Sequence, residues 1–76
     1  MESGDVRQTV GFNVRRLRVA AGLTQDSLAG STGLSAVYIS GIESGRRNPS
    51  AVVMSELAHA LGIDVRELLS VRPKMS

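Results

Sequence analysis

The sequence predicts an all-α fold in which five short helices form one compact domain, and three observations support this prediction. Apolar residues recur at three- and four-residue intervals, which is the spacing of a buried helix face. Ser, Thr and Asp residues suited to capping precede these segments, and glycines follow several of them. The length of 76 residues allows a single domain with a modest core. We expect residues 6–71 to form this domain, with residues 1–5 and 72–76 as disordered tails.

The first helix is predicted to begin near Val6, because Asp5 and Gln8 have the spacing of a capping box. Arg15 and Arg16 lie off its apolar stripe and are expected to face solvent, with a phosphate contact as a further possibility. Four residues at helical spacing form the stripe that should face the core: Val10, Val14, Leu17 and Ala21.

The next two helices are short and are joined by a tight turn. Thr24 is a suitable N-cap for the first of them, and Gly33 provides the left-handed backbone that the turn needs. Ser35 then opens the following helix, and Ser44 with Gly45 closes it. Two helices joined by a short glycine turn have the shape of a helix-turn-helix.

The outward face of the helix over residues 35–44 is small and uncharged. With Ile39 on the buried face, steps of about 100° per residue turn four residues to solvent: Val37, Ser40, Gly41 and Ser44. A helix that enters the DNA major groove needs such a face, because its backbone must approach the base edges. An ordinary amphipathic surface helix is the alternative, although Gly41 costs such a helix about 1 kcal/mol relative to Ala.

The last two helices follow Pro49. Ser50 is the expected N-cap of the fourth helix, and Gly62 ends it. Asp64 and Glu67 have the spacing of a second capping box and start the fifth helix. The apolar face of the fourth helix contains Val53, Met54, Leu57, Ala58 and Leu61.

Several short sequence patterns occur in unbroken register between residues 10 and 69. They are Gly22-Leu23-Thr24-Gln25, Leu28-Ala29, Gly33-Leu34-Ser35, Tyr38-Ile39-Ser40, Ile42-Glu43, Gly45-Arg46-Arg47, Asn48-Pro49-Ser50, Leu57-Ala58, Ala60-Leu61-Gly62 and Glu67-Leu68-Leu69. Together they resemble the Cro/C1-type (XRE) helix-turn-helix family, which includes lambdoid phage repressors and restriction-modification controller proteins. The resemblance implies a lambda-repressor-like domain that binds double-stranded DNA as a transcription regulator, with residues 35–44 in the major groove.

Placing that helix in the groove assigns the DNA contacts. Gln25 stands where family members bind a backbone phosphate, and the free N–H groups at a helix start favour an anion independently of any family. The base-facing residues are then Ser35, Ala36, Val37, Ser40 and Gly41. The phosphate-facing residues are Gln25, Tyr38, Arg46, Arg47 and Asn48. None of the base-facing side chains can make a bidentate base contact, so modest specificity per base is expected.

Arg18 and Glu43 are expected to form a structural ion pair. In the phage repressors that the sequence resembles, an arginine at the matching place in the first helix pairs with the glutamate near the end of the groove-binding helix. A DNA contact by Arg18 is the alternative. If the pair exists, removal of one partner would strand a charge.

The fifth helix carries more apolar surface than a short terminal helix needs for packing. Leu68 and Leu69 point about 100° apart, so a single core contact can hardly use both. One hypothesis is a homodimer, which the resemblance supports because short family members commonly act as dimers; the candidates are Val65, Leu68, Leu69 and Val71. The alternative is a protein-interaction module, an antitoxin-like partner or an anti-activator, that uses this end to bind a different chain.

Composition argues against several other functions. The chain has no cysteine, and its single histidine, His59, lies off the apolar stripe without a second ligand nearby in sequence. We therefore expect no enzymatic site, cofactor, metal or small-molecule ligand. No apolar run of about 18 residues and no signal peptide is found, so a cytoplasmic location without membrane contact is expected. The net charge is only +2, yet residues 7–47 hold six arginines against two acids, which suits a polyanion partner as well as plain solubility.

Overall fold

The computed structural model describes residues 5–71 and confirms the all-α prediction. Within this range, four α-helices are followed by a 3-10 helix, and no strand is present: α1 (Val6–Ala20), α2 (Gln25–Thr32), α3 (Ala36–Glu43), α4 (Ala51–Leu61) and the 3-10 helix Val65–Leu69. The fifth predicted helix therefore exists, but it is wound more tightly than an α-helix. Residues 1–4 and 72–76 of the predicted tails lie outside the described residues, whereas Asp5 is described and caps α1.

Side-chain caps start the helices at the expected residues. The hydroxyl oxygens of Thr24, Ser35 and Ser50 each accept the backbone N–H three residues on, at 3.0, 3.0 and 3.1 Å. The caps at Asp5 and Asp64, where capping boxes are predicted, have a different geometry from the other three. Each aspartate carboxylate accepts the backbone N–H two residues on instead of three, at 3.0 and 2.8 Å. That residue is an arginine in both cases, and its guanidinium binds the same carboxylate.

The turn between α2 and α3 depends on Gly33. Its φ of 78° lies in the left-handed region, where a Cβ would be strained. Its N–H donates to the carbonyl oxygen of Ala29 at 2.9 Å and so closes the last turn of α2. The chain can then reverse within three residues and begin α3, which completes the predicted helix-turn-helix.

Each helix contributes to one hydrophobic core. Its largest buried apolar side chains are Val10, Val14, Leu28, Ile39, Ile42, Leu57 and Leu68. Complete burial of such a side chain contributes about 1.5–3 kcal/mol. Ala21, which the sequence places on the core stripe of α1, is instead exposed, because α1 ends at Ala20 and the helical period ends with it.

The close packing of α1 against α3 requires a glycine at position 11. Gly11 is buried, and a Cβ built on it would collide with the carbonyl oxygen of Ile42. The same Cβ would lie 3.0 Å from the carbonyl oxygen of Glu43. The backbones of the two helices therefore approach more closely than any side chain at this position would allow, and this approach fixes the position of α3.

A buried amide connects α1 to the C-terminal 3-10 helix. The Nδ2 group of Asn13, which is fully buried, donates to the carbonyl oxygens of Leu68 and Ser70 at 2.9 and 2.8 Å. These carbonyls lie at and just beyond the end of the 3-10 helix, where intrahelical donors run out. Asn13 thus connects the end of the domain to α1 and provides a donor for the buried Leu68 carbonyl group.

Candidate nucleic-acid interface

The outward face of α3 presents small and apolar side chains. Ser35 is exposed at the start of the helix, where its hydroxyl oxygen accepts the N–H of Tyr38 at 3.0 Å. Val37 is 78% exposed, while Ala36 and Ser40 are half-buried at its sides. Val37 and Ser40 therefore lie on an uncharged surface that a base edge can approach closely, Ser35 is exposed at the start of the helix, and Ala36 packs partly against the core.

Gly41, the fifth predicted base-facing residue, is buried, so its predicted exposure is wrong. The side chain of Arg47 lies across it so closely that a Cβ on Gly41 would lie 2.6 Å from Arg47 Cγ. The helical period places Gly41 outward on an isolated helix, but it takes no account of a side chain returning from the following loop. A base could reach Gly41 only after Arg47 had moved.

The loop after α3 is fastened to that helix through its backbone. The N–H groups of Arg46 and Arg47 both donate to the carbonyl oxygen of Gly41, at 2.9 and 3.1 Å. The guanidinium carbon of Arg47 lies 5.5 Å from the centre of the Tyr38 ring, which is a cation–π distance. Arg46 and Asn48 are exposed beside them. Four predicted phosphate-facing residues are thus held next to the uncharged face of α3.

Gln25, the remaining predicted phosphate-facing residue, has a partner within the chain. Its Nε2 group donates to Glu43 Oε1 at 3.0 Å, and its side chain is half-buried. The bond joins the first residue of α2 to the last residue of α3. One of the two N–H bonds that Nε2 can donate is used in this way, which leaves the other for an acceptor outside the chain.

Arg18 and Glu43 lie together in the arrangement that the sequence predicts. Arg18 Nε donates to Glu43 Oε2 at 2.6 Å and Nη2 donates to Oε1 at 3.1 Å, while the side chains are only 10% and 5% exposed. Nη1 donates to the carbonyl oxygen of Leu23 at 2.8 Å. The hydrogen bond to Glu43 raises the pKa of Arg18 above its usual value. The pair joins α1, the α1–α2 turn and α3.

The predicted dimer candidates divide into two groups. Val65, Leu69 and Val71 are 38%, 48% and 83% exposed, so they are available at the surface. Leu68 is completely buried, and its assignment to an intermolecular contact is wrong. The bond from Asn13 to the Leu68 carbonyl draws this part of the chain inward, so the Leu68 side chain completes the core of its own domain.

Gly11 and Asn13 are absent from the residues predicted from the sequence, although Gly11 sets the position of α3 and Asn13 connects α1 to the C-terminal 3-10 helix. A glycine in the middle of an apolar helix is unfavourable by about 1 kcal/mol relative to Ala, so its presence was a detectable sign of a close helix contact. Asn13 gave no comparable sign, because its two acceptors lie 55 and 57 residues away in the chain.

Within residues 5–71, no group of three or more His, Asp or Glu side chains is placed to hold a metal ion. None of the helices in this range combines the length and the apolar character that crossing a membrane requires.

The α2–turn–α3 unit, its uncharged outward face and the neighbouring arginines define the class of DNA-binding helix-turn-helix proteins. Comparisons with known proteins agree. A family model described as helix-turn-helix matches residues 14–68. The uncharacterized HTH-type transcriptional regulator y4dJ of Sinorhizobium fredii is 46% identical over 66 residues, which cover 87% of this chain and 86% of that protein. The control protein C.MunI of a Mycoplasma species is 36% identical over 67 residues, 87% of this chain and 90% of that protein.

A solved structure shows the same fold. The restriction-modification controller protein C.AhdI from Aeromonas hydrophila is 45% identical, with a TM-score of 0.79, over 82% of this chain and 94% of that chain. The chain therefore belongs to the helix-turn-helix family, in its Cro/C1 (XRE) type. It is a DNA-binding transcription regulator, and its relatives are regulators rather than enzymes.

Proposed function

We propose that the protein acts in the cytoplasm as a homodimeric repressor or controller that inserts α3 into the major groove of its operator. The observation that carries the proposal is the uncharged, exposed face of α3 directly beside the Arg46–Arg47 loop. A helix in the groove needs close approach to the bases on one side and cations for the phosphates at its end, and this surface offers both.

The proposed contacts divide between bases and backbone. Val37 and Ala36 can contact a thymine methyl, while Ser35 and Ser40 can donate to or accept from several bases. Arg46, Arg47, Asn48, Tyr38 and the second N–H of Gln25 are proposed to bind phosphates. Since no base-facing side chain can make a bidentate contact with a base, DNA shape and phosphate contacts would supply a large share of the selectivity.

The proposed dimer uses the exposed apolar residues at the C-terminal end, Val65, Leu69 and Val71. A two-fold pair of domains would present two copies of α3 to the same side of the duplex. The half-sites of the operator would then lie about 34 Å apart, or a multiple of that distance.

The test is fluorescence anisotropy with a duplex from directly upstream of the gene and a scrambled duplex, over a salt series. The variant is Arg46→Ala/Arg47→Ala, and the charge-matched control is Arg7→Ala/Arg15→Ala, which removes two exposed arginines from α1. We expect the wild type to prefer the upstream duplex. Because each lost phosphate contact lowers the slope of log K against log salt by about 0.9, the variant should lose roughly one to two units.

Two results would contradict the proposal. The first is an equal loss of slope in the α1 control, since net charge alone would then explain the binding. The second is an unchanged slope in the Arg46→Ala/Arg47→Ala variant, which would place the phosphate contacts elsewhere.

A further inference from the structure

The amide of Asn13 uses both of its polar atoms within the domain. The two N–H groups of Nδ2 donate to the carbonyl oxygens of Leu68 and Ser70, at 2.9 and 2.8 Å. The Oδ1 atom accepts a hydrogen bond from Arg16 Nη2 at 3.1 Å, and this bond fixes which side of the amide faces the two carbonyl groups. Because the Asn13 side chain is fully buried, these bonds hold it in one orientation.

The two carbonyl groups lie directly before and after Leu69. The Leu68 side chain is completely buried, whereas the Leu69 side chain is 48% exposed. Leu69 belongs to the apolar surface of the proposed dimer contact, together with Val65 and Val71. The Asn13 amide therefore binds the backbone on both sides of a leucine that is available to a second copy of the chain.

The local hydrogen bonds of this segment are longer than those from Asn13. The 3-10 helix ends at Leu69, and Ser70 follows it with an extended backbone. The N–H of Ser70 donates to the carbonyl oxygen of Glu67 at 3.4 Å, and the Ser70 hydroxyl donates to the carbonyl oxygen of Arg66 at 3.3 Å. Bonds of this length are weak, and both stay within the last turn. The bonds from Asn13, in contrast, join the segment to α1.

The same turn of α1 also supports α3. Gly11 lies two residues before Asn13, and a Cβ on it would collide with the carbonyl oxygen of Ile42 in α3. Residues two apart in a helix point about 200° away from each other, so nearly opposite sides of α1 hold α3 and the C-terminal 3-10 helix. In a dimer that joins through Leu69, this arrangement would set the distance between the two copies of α3.

We propose that Asn13 is a positioning residue for the homodimer, because its bonds to Leu68 and Ser70 hold Leu69 in the orientation that meets a second copy. This role rests on the homodimer of the proposed function. Asn13 is buried and cannot itself meet the second copy, so it acts through the backbone that it binds. A segment that is ordered before association loses less conformational freedom on binding, and the dimer is therefore tighter.

The test is the dissociation constant of the dimer, measured by sedimentation equilibrium on the full chain. The variant Asn13→Leu keeps the size of the side chain and removes both donors. The control Val10→Ala truncates a buried side chain of the same helix that takes no part in these bonds. Urea unfolding should show that both variants are less stable than the wild type. We expect the dissociation constant to rise about tenfold in Asn13→Leu and to stay unchanged in Val10→Ala.

The control separates positioning from a general loss of stability. A wild-type dissociation constant in Asn13→Leu, or an equal rise in both variants, would overturn the role of Asn13 and leave the proposed dimer in place. A wild type that stays monomeric at tens of micromolar, with and without operator DNA, would overturn the dimer itself and the role of Asn13 with it.

A second variant decides the matter if circular dichroism shows that Asn13→Leu does not fold. Asn13→Ser retains a hydroxyl, which can donate one hydrogen bond in place of two. We expect its dimer dissociation constant to rise by about threefold relative to the wild type. A folded Asn13→Ser variant with the wild-type dissociation constant would overturn the proposal.

Discussion

At the scale of single residues, the contact of Gly11 with the α3 backbone sets the position of α3. We predict that Gly11→Ala lowers the free energy of unfolding by about 1–3 kcal/mol, because the new methyl group would collide with the Ile42 carbonyl, a backbone group that cannot rotate away. Urea unfolding measures this change. The control is Gly30→Ala, where a Cβ meets nothing within 4 Å and should raise stability by about 0.5–1 kcal/mol. Similar values for the two variants would show that the close approach is not restrictive.

The buried Arg18–Glu43 pair leads to a prediction about charge. Arg18→Met should lower the free energy of unfolding by about 3 kcal/mol, because it leaves the Glu43 carboxylate buried without its cation. The double variant Arg18→Met/Glu43→Met should recover most of this loss, since no unpaired charge remains. Chemical unfolding of both variants measures the difference, and strictly additive effects would contradict the prediction. Arg66→Met serves as the control, because the pair of Arg66 with Asp64 lies in water and should contribute little.

At the scale of elements, the exposed cap of the 3-10 helix makes a small contribution to stability that depends on the protonation of Asp64. The side-chain and backbone hydrogen bonds from Arg66 lower the pKa of Asp64 to about 2 from the usual 3.8. Because the folded-state pKa lies below the ordinary value, the carboxylate stabilises the folded chain above pH 3.8. That contribution disappears as the pH falls through about 2.

We therefore predict that an NMR titration of the Asp64 carboxyl group gives a pKa of about 2 in the wild type. In Arg66→Ala the pKa should rise towards 3.8, since the side-chain hydrogen bond is lost while the backbone N–H remains. The backbone bond should keep the variant value below 3.8. An identical titration in both proteins would exclude the guanidinium as the cause.

At the scale of the whole molecule, the proposed homodimer leads to a prediction about assembly. Leu69→Asp should yield a monomer in sedimentation at micromolar concentration, because it places a charge in the proposed apolar contact. Operator affinity should then fall by at least about tenfold, since one domain makes half the contacts. Val52→Asp, a change at a 69% exposed residue of α4, is the control and should leave the assembly unchanged. A Leu69→Asp variant that remains dimeric would place the interface elsewhere.

Features that depend on neighbouring residues could be predicted from the sequence, whereas features that depend on contacts between elements could not. Caps at Thr24, Ser35 and Ser50 were predictable because each depends on residues three positions apart. The burial of Gly41 and Leu68 was not predictable from helical period alone. Each depends on a contact from another element, Arg47 from the loop and Asn13 from α1. Helical period describes an isolated helix, whereas the burial of these two residues depends on contacts with other parts of the chain.

The two bonds from Asn13 also have a consequence for the order in which the protein folds during synthesis. Translation proceeds from the N-terminus, so α1 leaves the ribosome long before Leu68 and Ser70 exist. Until then the Asn13 amide lacks its acceptors and the core lacks the Leu68 side chain. The residues of α3 are therefore synthesised early, but an isolated helix of eight residues is marginal in water, and the domain that holds it can close only once residue 70 has been released.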